Sequence, residues 1–104
     1  MSDNPVSEQF RLVAKDWVEK DSAANLLEET KSARLNQMMM ALGDMPVSHA
    51  EREVKSSQDW LDLVTSIVEA RKAANLAKVK MEYIRMKFSE WQSAEANARS
   101  ERRL

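Results

Sequence analysis

Apolar residues in the second half of the chain recur at alternating spacings of three and four, the heptad pattern of a coiled coil. The series comprises Trp60, Leu63, Ile67, Ala70, Ala74, Ala77, Met81, Ile84, Phe88 and Trp91. These residues occupy heptad positions a and d over about five heptads, and we call the face they form the seam. The pattern lapses at Glu95 and resumes at Ala98. Its 3.5-residue period predicts a gentle left-handed supercoil with a facing helix.

Gly43 and Pro46 mark the end of a helical region that precedes the seam. Gly43 suits the left-handed conformation that closes a helix, and Pro46 cannot continue one. We therefore predict a first helical region over 7–42 and a turn over 43–47. Asp21 or Ser22 could cap a separate segment, so the first region is either one helix or two helices broken near residue 21.

Ser48 and Glu51 have the spacing of a capping box, which predicts that the next helix begins at Ser48. No glycine or proline follows before Ala98. The simplest interpretation is one continuous helix over 48–98, about 75 Å long at 1.5 Å per residue.

Folding at the turn predicts an all-α protein of one domain, residues 1–104: an antiparallel helical hairpin, or a three-helix arrangement, with one very long C-terminal coiled-coil helix. In the hairpin, large side chains would meet small ones, as close helix packing requires. The expected neighbours are Trp17 with Ala74, Val13 with Ala77, Phe10 with Met81, Ala24 with Ile67 and Leu27 with Val64. The same residues would form the helix contacts if, instead, the long helices of two chains paired antiparallel.

Phe88 and Trp91 would lie beyond the end of the first helix, because that helix runs out near Pro5, opposite Met86. Burial of a large apolar side chain contributes about 1.5–3 kcal/mol, so two uncovered aromatic residues favour association. The partner would be a second copy, giving a homo-oligomer, or the surface of another protein. The residues expected to bind it are Phe88, Trp91, Arg85, Lys87, Arg99, Arg102 and Arg103.

Composition excludes several kinds of chemistry. The 104 residues are 32% charged and include one glycine, two prolines and no cysteine, which is typical of long helices and rules out thiolate catalysis and cysteine-based zinc sites. The one histidine is His49, and no phosphate-binding loop or nucleophile beside a base can be assembled. We predict a protein that is not an enzyme and holds no cofactor or metal.

Charge is distributed unevenly along the chain. Residues 71–104 contain nine basic and four acidic residues, whereas acidic residues exceed basic ones in 1–46 and in 47–70. The basic third could pair with acidic residues of the first helix, such as Asp21, or with an anionic partner. The alternative function is therefore nucleic-acid binding as an accessory to DNA recombination. Its binding residues would be Lys78, Lys80, Arg85, Lys87, Arg99, Arg102 and Arg103.

Basic residues flank the seam on both sides, with Arg71, Lys78 and Arg85 at e positions and Lys80 and Lys87 at g positions. A parallel, in-register homodimer through the seam would oppose like charges and is disfavoured.

The N-terminal segment MSDNPVSEQF lacks the basic and apolar regions of a signal peptide, and no apolar run approaches about 18 residues. We expect a cytoplasmic protein without membrane contact.

The run KMEYIRMKFSEWQSAEANARSER, residues 80–102, resembles the ends of small helical proteins encoded by bacteriophages, often near recombination genes. The resemblance covers about a quarter of the chain and carries no residue with an assigned role. It implies a phage or prophage product that acts in the bacterial cytosol, as a recombination accessory or as an inhibitor of a host system. The favoured hypothesis is a helical protein–protein interaction module of this kind that binds a host or phage protein and also self-associates.

Overall fold

The computed structural model describes residues 5–103, apart from the side chain of Arg103. In this range the chain forms three helices, α1 (Val6–Met40), α2 (Val47–Lys55) and α3 (Gln58–Arg103), and no strand. α1 and α3 pack side by side as an antiparallel hairpin, and the short α2 contacts both near the turn. The predicted all-α hairpin with a very long C-terminal helix is confirmed.

The hairpin is a narrow rod of 83 × 22 × 18 Å with a radius of gyration of 23.1 Å. A compact domain of 100 residues has a radius of gyration of about 13 Å. The rod shape follows from pairing two long helices along one stripe each, because a second layer does not cover their outer faces. Burial is therefore concentrated where α1, α2 and α3 meet.

α1 is continuous through Asp21 and Ser22, so the first region is one helix. Asp21 lies inside this helix and does not cap a new segment. Its carboxylate accepts a hydrogen bond from Arg71 of α3. At the other end α1 stops at Met40, two residues before the predicted end. Gly43 follows with φ +83°, the left-handed conformation expected for it, and its amide donates to the Met40 carbonyl at 3.1 Å.

The predicted continuous helix over 48–98 is wrong, because the chain breaks at Ser56 and Ser57. Both hydroxyl groups donate to carbonyls in the last turn of α2, that of Ser57 to Val54 at 2.5 Å. The Ser57 hydroxyl also accepts from the backbone amide of Trp60 at 3.2 Å, which is the hydrogen bond of a helix N-cap. The serine pair thus ends α2 and starts α3, ten residues after the predicted start.

The predicted capping box at Ser48 and Glu51 is also wrong. α2 begins at Val47 directly after Pro46, and no side chain caps its first turn. The short α2 instead buries Ala50 and Val54 on one face. This face packs against α1 and α3, so α2 covers the hairpin at the end where the chain turns.

The seam is buried or half-buried from Trp60 to Ile84, as the heptad pattern predicts. Trp60, Ala74, Ala77, Met81 and Ile84 are buried, and the seam residues between Trp60 and Ala74 are half-buried. Ala24 of α1 and Ala74 of α3 are both completely inaccessible to solvent. Small side chains at these points let the helix backbones approach closely.

The register of the hairpin differs from the expected one by about one helical turn. Phe10 was expected beside Met81, but its ring lies 5.7 Å from the guanidinium carbon of Arg85, four positions farther along α3. Arg71 reaches both Asp21 and Glu28, which lie on either side of Ala24. Size matching does not distinguish registers that differ by one turn, whereas the reach of these charged side chains does.

Replacing Ala24 with leucine should destabilise the hairpin by about 1–3 kcal/mol, because the added side chain would force α1 away from α3. The free energy of unfolding is obtained from urea denaturation followed by circular dichroism. Ala23→Leu is the matched control, since Ala23 is exposed and leucine is nearly as good a helix former as alanine. Equal urea midpoints for the two variants would contradict close packing at Ala24.

Candidate protein-interaction surface

Arg71 connects the two long helices through three side chains of α1. Its Nη1 donates to the Asp21 carboxylate at 2.7 Å, and its Nη2 donates to the Asn25 side-chain oxygen at 2.5 Å. Its Nε and Nη2 donate to the two carboxylate oxygens of Glu28 at 2.8 and 3.1 Å. We call Arg71, Asp21, Asn25 and Glu28 the clasp. The predicted attraction between acidic residues of α1 and Arg71 is confirmed at Asp21, whereas Asp16 pairs with Lys20 inside α1.

The clasp shifts the pKa values of its charged members. Hydrogen bonds from Arg71 lower the pKa of the Glu28 carboxyl below its ordinary value, and the nearby positive charge adds to the effect. Hydrogen bonds to Glu28 and Asp21 raise the pKa of Arg71. Both shifts favour the charged forms that bond across the helices.

Aromatic side chains gather where α1 begins and α3 continues past it. We call Val6, Phe10, Phe88 and Trp91 the end cluster. The rings of Phe88 and Trp91 stack with centroids 6.0 Å apart and an interplanar angle of 23°. Phe88 is 36% exposed and Trp91 is 56% exposed. The two residues therefore form an apolar surface that the hairpin leaves partly open to solvent.

An open pocket of about 350 Å³ lies beside these rings and is lined by Val6, Ser7, Phe10, Arg85 and Phe88. The expectation that nothing covers Phe88 is therefore corrected. The one-turn change in register brings the start of α1 next to Phe88, while Trp91 lies one turn beyond the seam residues that α1 covers. Arg85 gives the pocket a positive edge above the ring of Phe10.

The other predicted partner-binding residues do not all lie at the end cluster. Lys87 is exposed, and its Nζ lies 5.7 Å from the centroid of the Tyr83 ring, which is not part of the end cluster. Arg99 is eight residues past Trp91, about 12 Å along the helix, and its Nε donates to the Glu95 carbonyl at 3.4 Å. Arg102 is exposed farther still, and the side chain of Arg103 lies outside the described residues. The structure thus brings Arg85, but neither Lys87 nor the arginines of the tail, to the end cluster.

The basic residues of the nucleic-acid hypothesis are divided between two flanks of α3. Lys78, Arg85 and Arg99 share the e row, whereas Lys80 and Lys87 share the g row on the other side of the seam. All five are exposed. The acidic residues Glu82, Glu90, Glu95 and Glu101 are interspersed along the same helix. In the described part of α3, the basic side chains consequently do not form one continuous face.

A second apolar surface was missed by the sequence reasoning. Leu76, Val79, Tyr83 and Met86 are each 59–62% exposed, and we call them the outer stripe. They occupy the c and f positions of the heptad frame that places the seam at a and d, so they lie on the opposite side of α3. Their spacings of three and four are visible in the sequence, but the sequence does not show which of two apolar faces α1 covers.

No family model matches this chain, and no curated protein or solved structure is significantly similar to it. Within residues 5–103, no helix is both long and apolar enough to span a membrane. The same residues contain no group of three or more His, Cys, Asp or Glu side chains placed to hold a metal ion.

The clasp predicts a pH-dependent stability. Because the folded-state pKa of Glu28 is lowered, its contribution is present above the unfolded pKa, about 4.3, and is lost as the pH falls through the folded value. Glu28→Gln should therefore be less stable than the wild type at pH 7, and the difference should shrink on acidification below about pH 4. Urea midpoints measured by circular dichroism from neutral to acidic pH provide the comparison.

Glu29→Gln is the matched control for this experiment. Glu29 is the exposed neighbour of Glu28 and makes no ion pair among the described residues. Its replacement should change stability little at any of these pH values. A Glu28→Gln difference that stays constant across the titration would show that the ionised carboxylate of Glu28 does not stabilise the hairpin.

Proposed function

We propose that this protein is a non-enzymatic helical interaction module that docks on another protein through the end cluster. The observation that carries the proposal is the partly exposed stack of Phe88 and Trp91 beside the open pocket. Aromatic and arginine side chains dominate the binding energy of protein interfaces, and the end cluster contains Arg85 at its edge. A polar rim around an apolar centre is the usual anatomy of such a surface.

The shape of the site favours a helical partner. α1 begins beside Phe88, but α3 continues past it to Arg103, about 22 Å farther. A second helix could therefore lie along the seam beyond the start of α1. It would place apolar side chains against Phe88 and Trp91. Acidic side chains on that helix would be attracted to Arg85. This arrangement corresponds to recognition of an amphipathic helix by an apolar groove.

The energy available at the site is sufficient for a specific but modest interaction. Burial of a large apolar side chain contributes about 1.5–3 kcal/mol, and Phe88 and Trp91 already cover part of each other. Completing their burial would thus contribute on the order of 2–3 kcal/mol in total. Such a difference corresponds to a factor of roughly 30–150 in the dissociation constant.

The proposal includes the role of a phage-type accessory or inhibitor. Its support is the resemblance of residues 80–102 to the ends of small bacteriophage proteins. An accessory or inhibitor of this kind acts by occupying a surface of a bacterial or phage protein, and it requires no chemistry of its own. The end cluster lies within the segment that carries the resemblance, except for the α1 residues Val6 and Phe10.

Phe88→Ser/Trp91→Ser should lose the protein partner while keeping the helix content of the wild type. Loss of the two aromatic contacts should weaken binding by at least about tenfold. The measurement is a pull-down from nuclease-treated bacterial lysate, quantified by mass spectrometry, with helix content followed by circular dichroism.

Leu12→Ser/Val18→Ser is the matched control for this pull-down, since these residues of α1 are 45% and 54% exposed and lie away from the end cluster. This control should retain every partner of the wild type. The proposal fails if both double variants retain the same proteins. Material that is bound only in a parallel pull-down from untreated lysate, and is lost at moderate salt, would instead support the nucleic-acid alternative.

A further inference from the structure

Arg85 is the one charged residue among the described residues that line the open pocket of the end cluster. Its guanidinium carbon lies 5.7 Å from the centroid of the Phe10 ring, and this cation–π contact holds the group at the edge of the pocket. Arg85 makes no hydrogen bond or ion pair among the described residues. A guanidinium group has five N–H donors, so those of Arg85 are available to an acceptor from outside the hairpin.

The register of the hairpin explains why α1 provides no carboxylate for Arg85. Arg85 lies in the same e row as Arg71, two heptads farther along α3. Because the helices run antiparallel, the residues of α1 that face Arg85 lie two heptads before the α1 members of the clasp. They are Ser7, Arg11 and Ala14, and Ser7 lines the pocket together with Arg85. None of the three is acidic, so Arg85 repeats the position of Arg71 without the carboxylates that Arg71 binds.

Two neighbouring acidic residues do not supply the missing acceptor either. Glu8 of α1 is bonded to Arg11, whose Nε donates to the two carboxylate oxygens at 3.1 and 3.0 Å. Glu82 lies one turn before Arg85 on α3 but makes no ion pair with any residue in the described part of the chain. A carboxylate for Arg85 is therefore left to a partner.

We propose that the end cluster recognises an acidic motif on its partner helix, with Arg85 as the specificity-determining residue. The carboxylate of an aspartate or glutamate would bond to Arg85, while an apolar side chain of the same helix fills the pocket. The inference rests on the proposed function, because it names the chemistry of the partner that docks at the end cluster. The clasp shows the same kind of contact, since Arg71 bonds both carboxylate oxygens of Glu28 on the facing helix.

The spacing of the site along α3 determines the spacing of the motif. Arg85, Phe88 and Trp91 follow one another at intervals of three residues, about one helical turn each. On a helix aligned with α3, the side chains that meet these three residues would also lie three or four positions apart. The motif is therefore an acidic residue at one end of a row, with two large apolar residues after it at such intervals.

A carboxylate suits this pocket better than a phosphate group does. A phosphate group on a side chain carries nearly two negative charges, and proteins usually bind it with a cluster of arginines. Lys87 lies on the other flank of the seam, beside Tyr83, so Arg85 is the single cation at the pocket. One guanidinium group matches one carboxylate both in charge and in its two parallel hydrogen bonds.

Selection of displayed peptides tests the motif. A cell-surface library of helical peptides, randomised along one face, is sorted for binding to the intact wild-type chain. The selected peptides should carry aspartate or glutamate three or four positions from a large apolar residue. Selected peptides that need Phe88 and Trp91 but show no acidic preference would overturn the motif and leave the docking function standing.

Charge reversal at Arg85 supplies the second test. Arg85→Glu should weaken binding of a selected peptide at least about tenfold, because an attractive contact becomes repulsive. Replacement of the acidic residue of the peptide by lysine should restore binding to this variant. Fluorescence anisotropy of the labelled peptide gives the dissociation constants, and circular dichroism confirms that the helix content is unchanged.

Lys78→Glu is the matched control for this reversal. Lys78 is exposed in the same e row, one heptad before Arg85, and does not line the pocket. The control has the same net charge as Arg85→Glu and should bind the peptide as the wild type does. Equal losses in the two variants would show a general effect of charge and overturn the proposal, as would full binding by Arg85→Glu.

The motif and the docking function can fail separately. Phe88→Ser/Trp91→Ser should lose the selected peptides, since both apolar contacts are removed. If no peptide is selected, or if this double variant binds the selected peptides as tightly as the wild type, the end cluster does not dock a helix and both proposals fail. A wild-type dimer that Phe88→Ser/Trp91→Ser converts to a monomer in analytical ultracentrifugation would show that a second copy occupies the site, and would overturn the motif.

Discussion

The position of α1 against α3 depends on the clasp that Arg71 makes with Asp21, Asn25 and Glu28. The apolar contacts along the seam supply attraction, but small and large side chains alternate in a way that tolerates a shift of one turn. A guanidinium group with donors of fixed geometry does not tolerate that shift. The clasp thus favours the register in which α1 begins beside Phe88, the register that sets which aromatic residues the hairpin covers.

Several features of the fold follow from local patterns in the sequence. The seam residues from Trp60 to Ile84 were predictable because a heptad repeat specifies one face of a helix whatever the partner is. Gly43 was predictable because a positive φ angle favours glycine. The exposure of Trp91 followed from the position of Pro5, because α1 begins directly after this residue.

Other features required the three-dimensional structure. The break at Ser56 and Ser57 could not be predicted from the absence of glycine and proline, because hydroxyl groups that bond to backbone carbonyls also end a helix. The register depends on how far Arg71 reaches across the hairpin, which spacing along one chain does not reveal. That Phe88 borders the start of α1 is a consequence of this register. The outer stripe obeys the same period as the seam, but only burial shows that one face is covered and the other is not.

The central claim is that α1 begins beside Phe88, so that α3 continues past it unaccompanied with Trp91 exposed. Residue-resolved amide hydrogen exchange by NMR tests this most directly, because exchange reports which backbone hydrogen bonds are held in packed structure. A hairpin in this register predicts slow exchange over the part of the seam from Trp60 to Ile84 and rapid exchange from about Trp91 onward. Uniformly slow exchange to Arg103 would contradict it, since the end of α3 would then be packed and the end cluster would not be free to dock.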